Sequence, residues 1–211
     1  MTEAPINRLE RRKQRTRTAL LKAAQAMIAA GKLNVPVLEI TQAADVGMGS
    51  FYNHFDSKEE LFEAAVTDVL DSYGAVMDEL TADIEDPAAV FACSFRLSGR
   101  FFRARPQESR VLLANWGALL SSDRGLAPRA MRDINAAVAA GRFHVEDPEL
   151  ALSVAAGALL GLGYLLQSRP DRDASATADA VTEDVLRMFG MSTEDAQEIC
   201  ARPLPDMVFH E

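Results

Sequence analysis

Apolar residues recur every three to four positions along nearly the whole chain, and runs of alternating β-branched residues do not occur. That period lines one stripe of a helix with apolar side chains and leaves no pattern for a two-faced strand. The chain is therefore expected to be all-α. Turn chemistry then divides it. Gly31 and Gly141 close helices expected over 7–30 and 126–140, because glycine takes up the left-handed conformation at a helix C-terminus. Pro36 suits the first turn of a short helix over 37–44, Asp86-Pro87 opens another, and Arg105-Pro106 breaks it. Ser57-Lys58-Glu59-Glu60 reads as a capping box at the head of a helix over 58–82. Further helices are expected over 108–121, 148–168 and 174–189, followed by a short helix and a loose tail.

Length and charge set the next bounds. The 211 residues are enough for one domain, or for a small module fused to a larger one, and 48% hydrophobic with 25% charged is an ordinary globular balance. The net charge of −9 argues against a polyanionic partner until its distribution is considered. Residues 1–35 hold eight Lys/Arg against two acids, a local +6, whereas residues 61–211 hold thirteen against twenty-four, or −11. Screening acts over about 8 Å at physiological salt, so a phosphate beside the first segment responds to the basic end. Cys93 and Cys200 have no metal-ligand spacing, and the Arg-rich start has no apolar stretch behind it. A reduced, cytoplasmic protein without disulfides is expected. Residues 150–166 carry no charge, but they are rich in Ala and Gly and flanked by acids, which fits a helix buried in an assembly better than a membrane span.

The stretch Gly47-Met48-Gly49-Ser50-Phe51-Tyr52-Asn53-His54-Phe55-Asp56-Ser57-Lys58 concentrates aromatics and glycines. Two short helices across 37–55 would bury Ile40, Ala44, Val46, Phe51 and Phe55 with Leu20 and Met27. Met48, Gly49, Ser50, Tyr52, Asn53 and His54 would then face outward on a helix too short to stand alone, the arrangement of a helix-turn-helix. The run from Ile40 through Ala44-Asp45-Val46 to Gly49-Ser50-Phe51-Tyr52-Asn53-His54-Phe55 and Ser57-Lys58-Glu59-Glu60-Leu61 resembles the DNA-binding signature of the TetR family of transcriptional regulators. The likeness covers Arg11 to Leu61, and the Tyr-x-His-Phe-x-x-Lys core is its most specific part.

That resemblance implies a three-helix DNA-binding domain over 1–56 and a larger helical ligand-binding and dimerisation domain over 57–211. By position, Tyr52, His54 and Lys58 would donate to phosphate oxygens, and Gly49 would let the backbone approach the duplex. Ser50 and Asn53 would meet base edges, and Met48 could offer apolar contact to a thymine methyl. Arg11, Arg12 and Arg15, with Arg8 and Lys13, form an arm for phosphates or a minor groove; the alternative is a solvated helix face. Asp45 stands where glycine is usual and Gly47 where Ser or Thr caps the recognition helix. Val37, Leu38 and Met48 replace residues that are commonly polar.

In the remainder, helical-wheel positions put Phe91, Phe95 and Phe102 on one side of their helix and Arg96, Arg100 and Arg103 on the other, as a solvated face. Phe95, Phe102, Asn115, Trp116, Met131, Tyr164 and Gln167 are candidates to line an apolar cavity, each also readable as packing. Ser153, Gly157 and Gly161 permit a close helix approach, and the family resemblance adds Val181 and Val185 in a four-helix dimer interface. His144 among carboxylates is weak grounds for a metal, and no constellation of catalytic residues, phosphate loop or cofactor motif is present. The implied protein is a homodimer that binds double-stranded operator DNA and responds to a small-molecule effector. A rival reading is a helical carrier or sensor of apolar molecules with a degenerate DNA-binding end.

Overall fold

A computed structural model describes residues 8–117 and 125–206, whose regular elements are all helices, with no strand among the described residues. In chain order the helices are α1 (Arg8–Ala29), α2 (Val37–Ala43), α3 (Met48–Phe51), α4 (Lys58–Thr81), α5 (Pro87–Ala104), α6 (Pro106–Ala114), α7 (Leu126–Ala139), α8 (Pro148–Ser168), α9 (Ala174–Met188) and α10 (Thr193–Ala201). Two compact units result, 1–69 and 70–211.

The first unit folds around the apolar stripe of α1. Leu20, Ala24, Met27 and Ile28 bury against Ile40 of α2, Phe51 of α3, Phe55, and Leu61 and Ala65 of α4. Gln25 sits within this core and donates to the Ala65 carbonyl at 3.2 Å and to Asp68 Oδ2 at 3.0 Å, which ties α1 to α4. Gly31 ends α1 at φ +72°, with its amide bonded to the Ile28 carbonyl. Pro36 is the N-cap of α2, one position before the first turn, since its φ of −67° and ψ of 150° are extended. The capping box at α4 is half reciprocal. The Glu60 amide donates to Ser57 Oγ at 3.1 Å, while the Glu60 carboxylate reaches past Ser57 to the Asp56 amide at 2.6 Å.

In the second unit α5 is the central helix, packed by α7, α8 and α9. Phe91 of α5 meets Phe143 and Phe189 with ring centres 5.6 and 5.5 Å away, and those two rings are 5.1 Å apart. Asp86, Asp147 and Asp173 each cap the following helix with a side-chain oxygen. At Gly99 a Cβ would lie 2.4 Å from the Ala178 Cβ, so α5 and α9 approach closely only because that position has no side chain.

Two expectations fail in this unit. Of the arginines of α5, Arg103 is exposed as a solvated residue, but Arg96 is 5% exposed, and Arg96 and Arg100 both bind Asp179 of α9. Because α5 is enclosed on several sides, its polar stripe meets other helices and needs partners. The helix expected over 108–121 also stops early. The chain turns at Asn115, whose Nδ2 donates back to the Val111 carbonyl at 2.7 Å, and 118–121 lie outside the described residues. The α8 helix is apolar enough by length and composition to cross a membrane; Ala151, Ala155, Leu159, Leu162 and Leu166 turn its inner face into the core.

Candidate nucleic-acid interface and helical cavity

A four-residue helix has no stability of its own, so α3 depends on its anchors. Phe51 is fully buried, Phe55 nearly so, and their rings lie 6.1 Å apart. Arg17 covers the outer side of Phe55, its guanidinium carbon 5.1 Å from the ring centre. With these positions fixed inward, Met48, Gly49, Tyr52 and Asn53 are exposed, while Ser50 and His54 are half-buried. A Cβ on Gly49 would meet nothing within 4 Å, so nothing inside the chain requires glycine there; an approaching external surface would.

Two open grooves flank this outer surface. One, of about 1070 Å³, runs between Arg8, Arg11, Arg12 and Arg15 of α1 and the Ala44-Asp45-Val46 turn. The other, of about 520 Å³, lies between Arg12 and Lys13 of α1 and Ser50, Asn53 and His54. The i, i+3, i+4, i+7 spacing of the arginines places them on one side of α1. Arg12 and Lys13 therefore border one groove with Ser50, Asn53 and His54, while the four arginines border the other with the turn. A basic groove of this kind attracts phosphates.

Lys58 is already engaged. Its Nζ donates to Asn34 Oδ1 at 3.1 Å and to the Val35 carbonyl at 3.4 Å, so it braces the α1–α2 loop at the start of α4. The sequence offered no sign of this contact, because Asn34 lies in an unpatterned loop.

His54 has a pKa below the ordinary histidine value of 6.5, first through burial and then through the nearby Lys13 and Arg17. Because the folded value is depressed, His54 contributes stability that is present above pH 6.5 and lost as pH falls below it. A phosphate at this site would favour the imidazolium and reverse the shift, so DNA binding should take up a proton. Affinity for DNA is expected to rise as pH drops from 7.5 to 5.5, and His54→Gln should flatten that part of the profile. Parallel profiles for the two proteins would remove His54 from the interface.

Asp45 is held at φ +53°, the only positive φ at a non-glycine residue among the described residues. Left-handed backbone costs an L-residue about 1 kcal/mol or more, and glycine returns about 0.4–1 kcal/mol of that through unfolded-chain freedom. Asp45→Gly is expected to stabilise the protein by about half a kcal/mol and to tighten DNA binding several-fold at low salt, since it removes an acid from a basic groove. Calorimetry and DNA titration at two salt concentrations check both effects.

The second unit holds a cavity in two lobes of about 60 Å³ each, sharing the walls Phe95, Leu126, Ala130 and Leu159. Trp116, Leu152 and Ala155 complete the apolar lobe. Asp78, Thr81, Ser98, Arg129, Arg132 and Asp133 bring polar groups to the other. Phe95 and Trp116 line the apolar lobe. Phe102, Asn115, Met131, Tyr164 and Gln167 line neither lobe. Phe102 packs where Gly163 and Leu113 meet, Asn115 ends α6, Met131 is half-buried on α7, and Tyr164 and Gln167 are on the exposed side of α8.

Ser153, Gly157 and Gly161 are exposed on α8, and a Cβ on either glycine would meet nothing within 4 Å. Val181 of α9 is half-buried, but Val185 is 1% exposed. Val185 belongs to the subunit's own core and has no surface to offer a second chain.

The family model described as "Bacterial regulatory proteins, tetR family" matches residues 20–65, and that described as "Tetracyclin repressor-like, C-terminal domain" matches 86–202, more than half of the chain. The chain belongs to the TetR family. Among solved TetR-type structures, RolR in complex with resorcinol is 32% identical over 94% of this chain and 99% of RolR, with a TM-score of 0.63. The HTH-type transcriptional repressor KstR2 of Mycolicibacterium smegmatis is 34% identical over 84 residues, a match spanning 37% of this chain and 41% of that repressor. The ketosteroid transcriptional regulator KstR2 of Mycobacterium tuberculosis covers 82% of this chain at a TM-score of 0.59 and 21% identity, and shares the fold.

Proposed function

We propose that this TetR-family chain is a cytoplasmic, homodimeric transcriptional repressor, released from its operator when a small, largely apolar ligand fills the helical cavity. The observation that carries the reading is the groove that Arg12 and Lys13 of α1 share with Ser50, Asn53 and His54. Arg11, Arg12 and Arg15 meet phosphates, Tyr52 and His54 fix the register, and Ser50 and Asn53 read base edges. Lys58 acts through the α1–α2 loop it braces. KstR2 is itself a repressor, and the complex of RolR with resorcinol supports a single-ring effector for a cavity of this size.

Two copies suit the DNA, because paired half-sites lie about 34 Å apart on one face of the duplex. The exposed Ser153, Gly157 and Gly161 of α8 let a second α8 approach closely. The effector is bound and not converted; it needs only a differential affinity of about 1–3 kcal/mol to change operator binding about 5- to 150-fold. The rival reading, an apolar carrier with a degenerate DNA-binding end, rests on the exposure of Leu38 and Met48.

A footprint on the DNA flanking the protein's own gene tests the proposal. Protection of a two-fold site that is lost with Arg12→Ala or Tyr52→Ala is expected. Binding indifferent to both substitutions would favour the carrier.

A further inference from the structure

Between Gly47 and Gly49 the chain is bare on either side of one apolar side chain. Gly47 has φ −70° and ψ 147°, extended backbone open to any residue, and Gly49 has the ordinary backbone of a helix. A Cβ on Gly47 would meet only Ser50 Oγ, at 3.9 Å, and one on Gly49 would meet nothing within 4 Å. Neither turn geometry nor internal packing asks for glycine at these two positions. Glycine weakens a helix relative to alanine, and α3 has only four residues. What the pair provides is clearance: an external surface can come into van der Waals contact with the backbone on both sides of Met48.

Met48 projects from this cleared stretch. It is 44% exposed and shares a face of α3 with Tyr52, one turn further on and 57% exposed. Phe51 and Phe55, which hold α3 to the first unit, are buried on the other side. The core that fixes α3 is therefore closed without Met48. Its thioether is at best a weak acceptor, so among Ser50, Tyr52, Asn53 and His54 it is the residue that offers apolar contact. Its unbranched chain shapes itself to a small apolar partner.

A duplex presents few such partners. The base edges in the major groove carry hydrogen-bond donors, acceptors and one apolar group, the 5-methyl of thymine. A short helix that brings its backbone close to those edges, with a flexible apolar side chain reaching past bare glycines, matches that group.

We propose that Met48 is a specificity-determining residue that packs on the 5-methyl of one thymine in each operator half-site, while Ser50 and Asn53 hydrogen-bond to neighbouring base edges. The inference rests on the repressor reading. It also turns one observation away from the carrier, since the exposure of Met48 becomes a means of recognition.

Uracil differs from thymine by that methyl alone, so it isolates the contact. In the footprinted flanking duplex each thymine is replaced singly by uracil, and binding of the full chain is followed by anisotropy. One thymine per half-site is expected to lose about fourfold on replacement, the worth of one buried methyl, and about sixteenfold when replaced in both half-sites. Met48→Ala should bind the thymine and uracil duplexes alike at that position, whereas Met48→Leu should keep the discrimination. The salt dependence of binding should be the same for Met48→Ala and the native protein, because no phosphate contact is lost. The thymine-to-uracil ratio is read within each variant, so it does not depend on how much of that variant is folded.

The proposal is overturned if every thymine tolerates uracil, or if the sensitive thymine stays sensitive in Met48→Ala. A protected site whose thymines all tolerate uracil contradicts the role of Met48 alone. No protected site at all contradicts the repressor reading together with it.

Discussion

Replacing Phe51 with alanine is expected to abolish specific DNA binding and to cost about 3–5 kcal/mol of stability, the usual range for a fully buried phenylalanine. Phe51 is fully buried, packs on Phe55, and meets the edge of Tyr52 at 5.1 Å. The cost is large relative to its setting, because a unit of this size holds only about 0.05–0.15 kcal/mol per residue. It is also specific in its consequence. The α3 helix is four residues long and capped by Gly47 without a side-chain bond, so its position derives from Phe51 and Phe55 and not from helix propensity. Without the anchor, Ser50, Tyr52 and Asn53 no longer share a surface with α1. Calorimetry and a DNA titration check both parts. A variant that binds the same DNA within about threefold of the native protein would show that α3 is held by something other than this core.

Replacing Asp179 with alanine is the corresponding test in the second unit, with a cost of about 3–5 kcal/mol expected from stranding a buried charge. Asp179 accepts from Arg96 Nε at 2.7 Å and from both terminal nitrogens of Arg100 at 2.8 and 2.9 Å. Arg96 also donates to the Arg202 carbonyl at 2.9 Å, and its side chain is only 7% exposed. Burial raises the Asp179 pKa, but the hydrogen bonds from Arg100 and Arg96 outweigh it and hold the carboxyl below the ordinary carboxylate range. A depressed folded pKa means that this stability is present above the ordinary range and is lost as pH falls through the folded value. Pairing Asp179→Ala with Arg96→Met should recover much of the loss, since no unpaired charge remains at Arg96. A thermal melt unchanged by Asp179→Ala would mean that water reaches Arg96 freely.

What the sequence made legible were features written locally. The ends of α1, α4, α7 and α8 follow from Gly31, the Ser57–Glu60 pair, Gly141 and Pro148, each a signal within a few residues of the boundary. The division of α3 into anchors and outward residues follows from the spacing of Phe51 and Phe55 alone. The misses depend on distant partners. Arg96 and Arg100 read as solvent-facing because Asp179 is about eighty residues away. The contact of Lys58 with Asn34 was not legible because Asn34 lies on another element. Val185 shared a helical stripe with Val181, and periodicity cannot say which part of a stripe faces the chain's own core. The polar lobe had no linear signature, since α4, α5 and α7 each contribute part of it.

The central claim is that the outer face of α3 and the basic side of α1 form one DNA-binding surface. Fluorescence anisotropy of the full chain against a duplex carrying its footprinted flanking site, set against a scrambled duplex between 50 and 200 mM salt, tests it most directly. The account predicts a preference of about a thousandfold or more for the native sequence. It also predicts affinity that falls steeply with salt, by about one power of the salt concentration for each phosphate contacted, with Arg12→Ala reducing that slope by about one. Equal affinity for the scrambled duplex, or a slope unchanged by Arg12→Ala, would contradict it.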